Sequence, residues 1–137
     1  MPAKPFLDTN IVVYAFTSND VRSEKADALL QLGGVISVQV LNEFVNVLRR
    51  KQRRGWTEVE SALGVLKVFL DPPQPLTVEV HEAAVGLARR HGFSIYDSLI
   101  VAAALRAGCS TLYSENLRHR QIVEGLTIRN PFAESTI

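Results

Sequence analysis

Short apolar runs alternate along this chain with segments whose apolar residues recur at helical spacing, and no other feature restricts the possible folds as tightly. Runs bounded by turn signals fall at Pro5 to Leu7, Val35 to Val38, Leu76 to Val78, Cys109 to Tyr113 and Leu126 to Ile128, and they read as strands. Between them the pattern predicts a short helix beginning near Asn10, then helices over Ser23 to Leu32, Val40 to Arg50, Thr57 to about Leu70, Val80 to Arg90 and Tyr96 to Ala107. Thr57 and Glu60 have the spacing of a capping box, the stretch DPPQP breaks the chain, and Gly92 and Gly108 stand where helices end. The Tyr96 to Ala107 segment is apolar nearly all round and reads as a buried helix. Strands alternating with helices predict an α/β architecture, a parallel sheet covered on both faces. With no internal repeat, low-complexity tract or linker, residues 1–137 are expected to form one domain. In open sheets of this kind the site lies beyond the carboxyl ends of the strands, where the strand order reverses.

Three carboxylates stand where apolar residues belong. In KPFLDTNIVVYAF, residues Lys4 to Phe16, Asp8 interrupts an apolar run at the end of the first predicted strand. An unpaired buried charge is very unfavourable, so something other than bulk water has to solvate it. Glu43 shares a helix face with Val40 and Val47, and Asp97 shares one with Ile100, Val101 and Ala104. Each acid alone has a plain account: Asp8 caps a helix, Asp97 suits the dipole of a first turn, and Glu43 pairs with an arginine. Taken together, three acids converging on one pocket repel and raise one another's pKa unless a cation holds them. Oxygen donors without histidine or thiolate suit Mg²⁺ or Mn²⁺, which keep open positions for water and phosphate oxygens. An ion so held activates water and offsets charge building on a phosphoryl group, so phosphodiester hydrolysis is the leading reaction class.

Composition narrows the setting. The chain is 47% hydrophobic and 21% charged with a formal net charge of +1, ordinary for a soluble globular protein, so any nucleic-acid footprint has to be local. A single cysteine, Cys109, excludes an intramolecular disulfide and a Cys-rich zinc site, reads as a small core residue, and suits a reducing compartment. The N-terminus lacks the long apolar region of a signal peptide, and no stretch approaches the roughly 20 apolar residues of a membrane span. A cytoplasmic protein is expected.

The segments FLDTNIVVYAF, ISVQVLNEFVNVL, FSIYDSLIVAAALRAGCSTLYSENL and EGLTIRNPF, which span nearly the whole chain, resemble the PIN-domain nucleases, and within them the VapC-type toxins of bacterial toxin-antitoxin pairs. The resemblance implies a three-layer α/β/α fold with a central, mostly parallel sheet. It also implies a metal-dependent endoribonuclease in which Asp8, Glu43 and Asp97 hold Mg²⁺ or Mn²⁺, with Thr9 a polar helper beside the first acid. Homodimers are frequent in the family, and a cognate antitoxin masks the acidic pocket. One position departs from the pattern. Where such sequences usually read S-E-D, this chain has Ser114, Glu115 and Asn116, so the fourth member of the catalytic set is an amide. The amide removes a negative charge and weakens cation binding, most of all at a second-metal position, with Glu115 the candidate to compensate. Arg120 stands where close relatives commonly carry glycine.

RRKQRR, at the end of the Glu43 helix, packs five positive charges into six residues: Arg49, Arg50, Lys51, Arg53 and Arg54. Cations suit a helix C-terminus and are well solvated there. In the functional reading these residues, with Arg89, Arg90, Arg118 and Arg120, contact RNA phosphates; antitoxin binding is a third reading. Tyr96 abuts Asp97 and is placed to stack on a base, whereas Trp56, Phe44 and Phe69 read as packing or interface residues. His81, His91 and His119 have no ligand spacing and read as surface residues. Two rival functions follow. One is a catalytically impaired PIN domain acting by RNA or antitoxin binding, motivated by Asn116. The other is a phosphatase using Asp8 as nucleophile, a pattern that normally carries a second aspartate where this chain has Asn10.

Overall fold

The computed structural model describes residues 4–17 and 20–133. Strand β1 (Phe6–Leu7) is followed by helices α1 (Thr9–Tyr14), α2 (Val21–Leu32), α3 (Val38–Arg50), α4 (Trp56–Phe69), α5 (Val78–His91) and α6 (Ile95–Arg106), then by β2 (Thr111–Tyr113), β3 (Ile122–Val123) and β4 (Leu126–Arg129). The sheet order is β1-β2-β4-β3; β1 and β4 lie parallel to β2, and β3 lies antiparallel to β4. Phe6 and Leu7, neighbours that point to opposite faces, are both fully buried, as are Leu112, Leu126 and Ile128. Burial on both faces is what a parallel sheet between helices demands, and helices do cover both sides.

Phe6 has a second partner: Val35 bridges it in parallel from the edge opposite β2. The chain therefore goes from β1 to one side, and only after six helices to the other, so the strand order reverses at β1. This is the crevice position of open α/β sheets. Helix α3 packs on α1 and α4 and also meets α6, which brings the Glu43 helix to the Asp97 helix. Residues Ser98 to Ala104 of α6 are buried without interruption, as its all-round apolar pattern predicts.

Two predicted strands are not strands. Around Val35 to Val38 only the bridges at Val35 and Ser37 form, because the Ser37 hydroxyl accepts from the Val40 N–H at 3.2 Å and starts α3 at Val38. At Leu76 to Val78 the Thr77 hydroxyl accepts from the Val80 N–H at 3.1 Å, and Val78 opens α5. Helix α4 begins after Gly55 without a side-chain cap, so Thr57 lies inside the helix rather than at its boundary. Helix α6 starts earlier than Tyr96, because Ser94 caps it and Ile95 is its first residue. Strand β3 escaped the sequence pattern: two residues long, it returns through a turn in which Glu124 and Gly125 both have positive φ, 52° and 92°, the geometry of a type I′ hairpin. Cys109 is free and buried, as expected of a small core residue. Among the described residues no helix is long and apolar enough to cross a membrane.

Candidate active site

Leu7 pairs with Tyr113, so the residues that follow them, Asp8 and Ser114, emerge side by side at the carboxyl ends of parallel strands. The Ser114 hydroxyl donates to one Asp8 carboxylate oxygen at 2.7 Å, and the Thr9 N–H donates to the other at 2.7 Å. Asp8 is 2% exposed. It does cap α1, yet one hydroxyl and one amide are thin solvation for a buried charge. Burial pushes its pKa up to about 6, against the two hydrogen bonds; the negative charges of Glu43 and Asp97 add to the rise.

Glu43, half-buried on α3, accepts from the Thr9 hydroxyl on one oxygen and from the Gln39 side-chain amide at 3.0 Å on the other. Neutral groups, not an arginine, are its hydrogen-bond partners among the described residues. Asp97 sits in the first turn of α6, where its N–H donates to the Ser94 hydroxyl at 3.1 Å. Burial raises the Asp97 pKa, and Glu43 raises it further. The fields of the three acids overlap.

Among the described residues, no three histidine, cysteine, aspartate or glutamate side chains are gathered tightly enough to hold an ion as they stand. The oxygens of Asp8 and Glu43 are turned instead to Ser114, Thr9 and Gln39. In chemistry the set fits a hard divalent cation: all donors are oxygens, and a cation would offset the burial, and the lesser mutual repulsion, that lift the Asp8 and Asp97 pKa values. Taking up an ion requires the carboxylates to leave some of their present partners.

Ser114 is fully buried, and its oxygen also accepts from the N–H groups of Asn116 at 3.2 Å and Leu117 at 3.4 Å. That local turn presents Asn116 at the surface, where with Thr9, Asn10, Glu43, Asn46, Lys51 and Gln52 it lines a cleft of about 540 Å³. Glu115 is engaged elsewhere: its carboxylate accepts from the Tyr14 hydroxyl at 2.8 Å and from Arg22 at 2.9 Å, and its N–H donates to the Asn10 side chain at 3.1 Å. Its charge is thus paired with Arg22 rather than lent to the acids.

The basic segment divides in two. Arg49 donates to the Arg54 carbonyl at 2.9 Å and Arg54 to the Phe16 carbonyl, so both guanidinium groups are tied to backbone. Arg50, Lys51 and Arg53 are exposed, and Lys51 borders the cleft that holds Glu43. Arg118 and Arg120 are exposed beyond Asn116. Arg120 has φ 69°, the left-handed region where glycine is at ease. Arg90 is bound to Glu124 at 2.7 Å, and His91 reaches the same carboxylate at 3.1 Å. Trp56, read as a packing or interface residue, is 58% exposed, and Phe69 is 42% exposed; Phe44 is fully buried. Ser114, expected from the sequence as a supporting residue, does hold Asp8, whereas Gln39 escaped notice as a support. Gln39 was findable, four residues before Glu43 on one helix face.

The PIN domain family model matches residues 6–125, which takes in β1, all six helices and the turn after β3. The chain belongs to the PIN domain family. Solved structures share the PIN fold over most of their length. VapC20 of Mycobacterium tuberculosis, described as a sarcin-ricin loop cleaving toxin, is 22% identical with a TM-score of 0.66, covering 81% of this chain and 88% of its own. A toxin-antitoxin complex from Klebsiella pneumoniae is 18% identical with a TM-score of 0.69, at 93% and 97% coverage. VapBC2 from Rickettsia felis, bound to a DNA fragment from its promoter, is 21% identical with a TM-score of 0.66, at 91% and 96% coverage. No curated protein sequence matches this PIN domain.

Proposed function

We propose that this PIN domain, a single domain over residues 1–137, is a metal-dependent endoribonuclease of the VapC type, held in check by a cognate antitoxin. The observation that carries the reading is Asp8: a carboxylate buried at the reversal point of the sheet, its pKa raised, in the fields of Glu43 and Asp97 beside an open polar cleft. Asp8, Glu43 and Asp97 would hold Mg²⁺ or Mn²⁺. Bound there, the ion supplies an activated water and offsets charge on the phosphoryl oxygens.

The chain's own residues do the rest. Ser114 and the Thr9 amide fix the Asp8 carboxylate, and the Thr9 hydroxyl and Gln39 fix that of Glu43. Asn116 contributes a neutral amide to the cleft, and Glu115, pinned by Tyr14 and Arg22, anchors the segment that presents it. Arg50, Lys51, Arg53, Arg118 and Arg120 offer charge to RNA phosphates, while Arg49 and Arg54 shape the loop between them. The Klebsiella and Rickettsia complexes support an antitoxin partner. Exposed Val65, Val68 and Phe69 on α4 provide apolar surface for a homodimer. A cytoplasmic location goes with an RNA target.

The second reading, an impaired PIN domain that binds RNA or antitoxin without cutting, rests on Asn116 in the cleft wall. One experiment separates the two: incubation of an RNA pool with purified protein and Mn²⁺ or Mg²⁺, against chelator, Asp97→Asn and Asn116→Asp. Cleavage by the wild type that chelator and Asp97→Asn both abolish supports the nuclease. Cleavage by Asn116→Asp alone supports the impaired domain.

A further inference from the structure

Trp56 is the protein's one tryptophan, and it opens α4 with more than half of its surface exposed, although an indole ordinarily goes to the core. It is not loose. The Arg49 guanidinium lies 4.4 Å from its ring centroid, and the Arg54 carbonyl holds that guanidinium at 2.9 Å. A ring ordered this way, with a cation on it, is a stacking surface set up in advance. Its surroundings are charged: Arg50, Lys51 and Arg53 are exposed and form no hydrogen bond or ion pair among the described residues, and Glu58 in the first turn of α4 is the nearest acid in sequence.

Two cavities flank Asn46 of α3. Asn42, Val45, Asn46, Arg49, Arg50 and Trp56 line a hollow of about 390 Å³, and Asn46 also lines the cleft that holds Glu43 and Asn116. Glu43, Asn46 and Arg50 follow one another at helical spacing, so one face of α3 runs about 10 Å from Glu43 in the cleft to Arg50 in the hollow that Trp56 lines.

We infer that Trp56, ordered by Arg49, is a stacking platform for a base of single-stranded RNA leaving the cleft, with Arg50 and Lys51 on the flanking phosphates. This rests on the ribonuclease reading and adds to it a base-binding subsite remote from the acids. Unlike a buried protein contact, the platform combines an aromatic face with unpaired cations on a track shared with the acidic cleft, which is the composition of single-strand binding grooves.

The lone tryptophan makes the test direct. Cleavage-silent Asp97→Asn protein is titrated with a short oligouridylate while tryptophan emission is followed, and affinity is measured separately by anisotropy of the labelled RNA. Saturable quenching is expected. Trp56→Ala should weaken binding about 5- to 150-fold, the range for one stacked base, and Trp56→Phe should restore most of it. Thermal melts of each variant distinguish lost stacking from lost folding. RNA bound without quenching, or bound equally by Trp56→Ala and Trp56→Phe, overturns the inference and leaves the nuclease standing. So does a Trp56→Ala protein that keeps RNA affinity but loses its antitoxin, which would make the tryptophan a protein contact. Absence of both RNA binding and Asp97-dependent cleavage in the parent protein would overturn the ribonuclease reading as well.

Discussion

At the scale of single residues, Asp8 sets stability against function. Its folded pKa of about 6 lies above the ordinary 3.8, so the folded chain holds this proton more tightly than the unfolded chain does. Stability from this group is greatest below the unfolded value and falls as pH rises through about 6; the full penalty, about 3 kcal/mol, applies from there upward. Asp8→Asn should therefore raise the unfolding free energy near pH 8 and give no gain near pH 4, while abolishing cleavage. Denaturant melts at the two pH values check it. The hydroxyl on Asp8 is a positioning group: Ser114→Ala should lower Mn²⁺ affinity, read by calorimetry, about 10- to 100-fold while the fold persists. The three acids were legible because carboxylates on apolar faces contradict the pattern around them. The engagement of Glu115 was not, since its partners Tyr14 and Arg22 lie 101 and 93 residues away and no local spacing joins them.

At the scale of elements, caps decide more than runs of apolar residues do. Val35 to Val38 has strand composition, yet the Ser37 hydroxyl satisfies a free N–H at the next helix start, and Thr77 does the same for α5. Sequence pattern weighs composition over several residues, whereas one hydroxyl settles a boundary. Ser37→Ala should lower stability by about 1 kcal/mol in chemical denaturation, with a loss of cleavage beyond the loss of folded protein, because α3 carries Glu43. The Glu43 and Asp97 helices, by contrast, were plain in the sequence. Long periodic segments carry redundant signal, and the two-residue β3, which depends on positive φ at Glu124, carries almost none.

At the scale of the whole molecule, a net charge of +1 conceals a division between an acidic site, with Asp8 buried and Glu43 and Asp97 half-buried, and a cationic rim. On the ribonuclease reading, RNA affinity at this rim is a function of salt. Replacing Arg50, Lys51 and Arg53 together with glutamine should reduce the slope of log affinity against log salt by about 2, as three single-strand phosphate contacts require. An unchanged slope would put the RNA elsewhere on the surface.

The pairing of β1 with β2 also fixes when in its own synthesis the acidic crevice can form. Asp8 is made 106 residues before the hydroxyl that steadies it. Until Thr111 to Tyr113 leave the ribosome, β1 has only its bridge to Val35, and the crevice between the first two strands does not exist. A nascent chain interrupted at any earlier codon therefore lacks both the strand and the hydroxyl that set Asp8 in place.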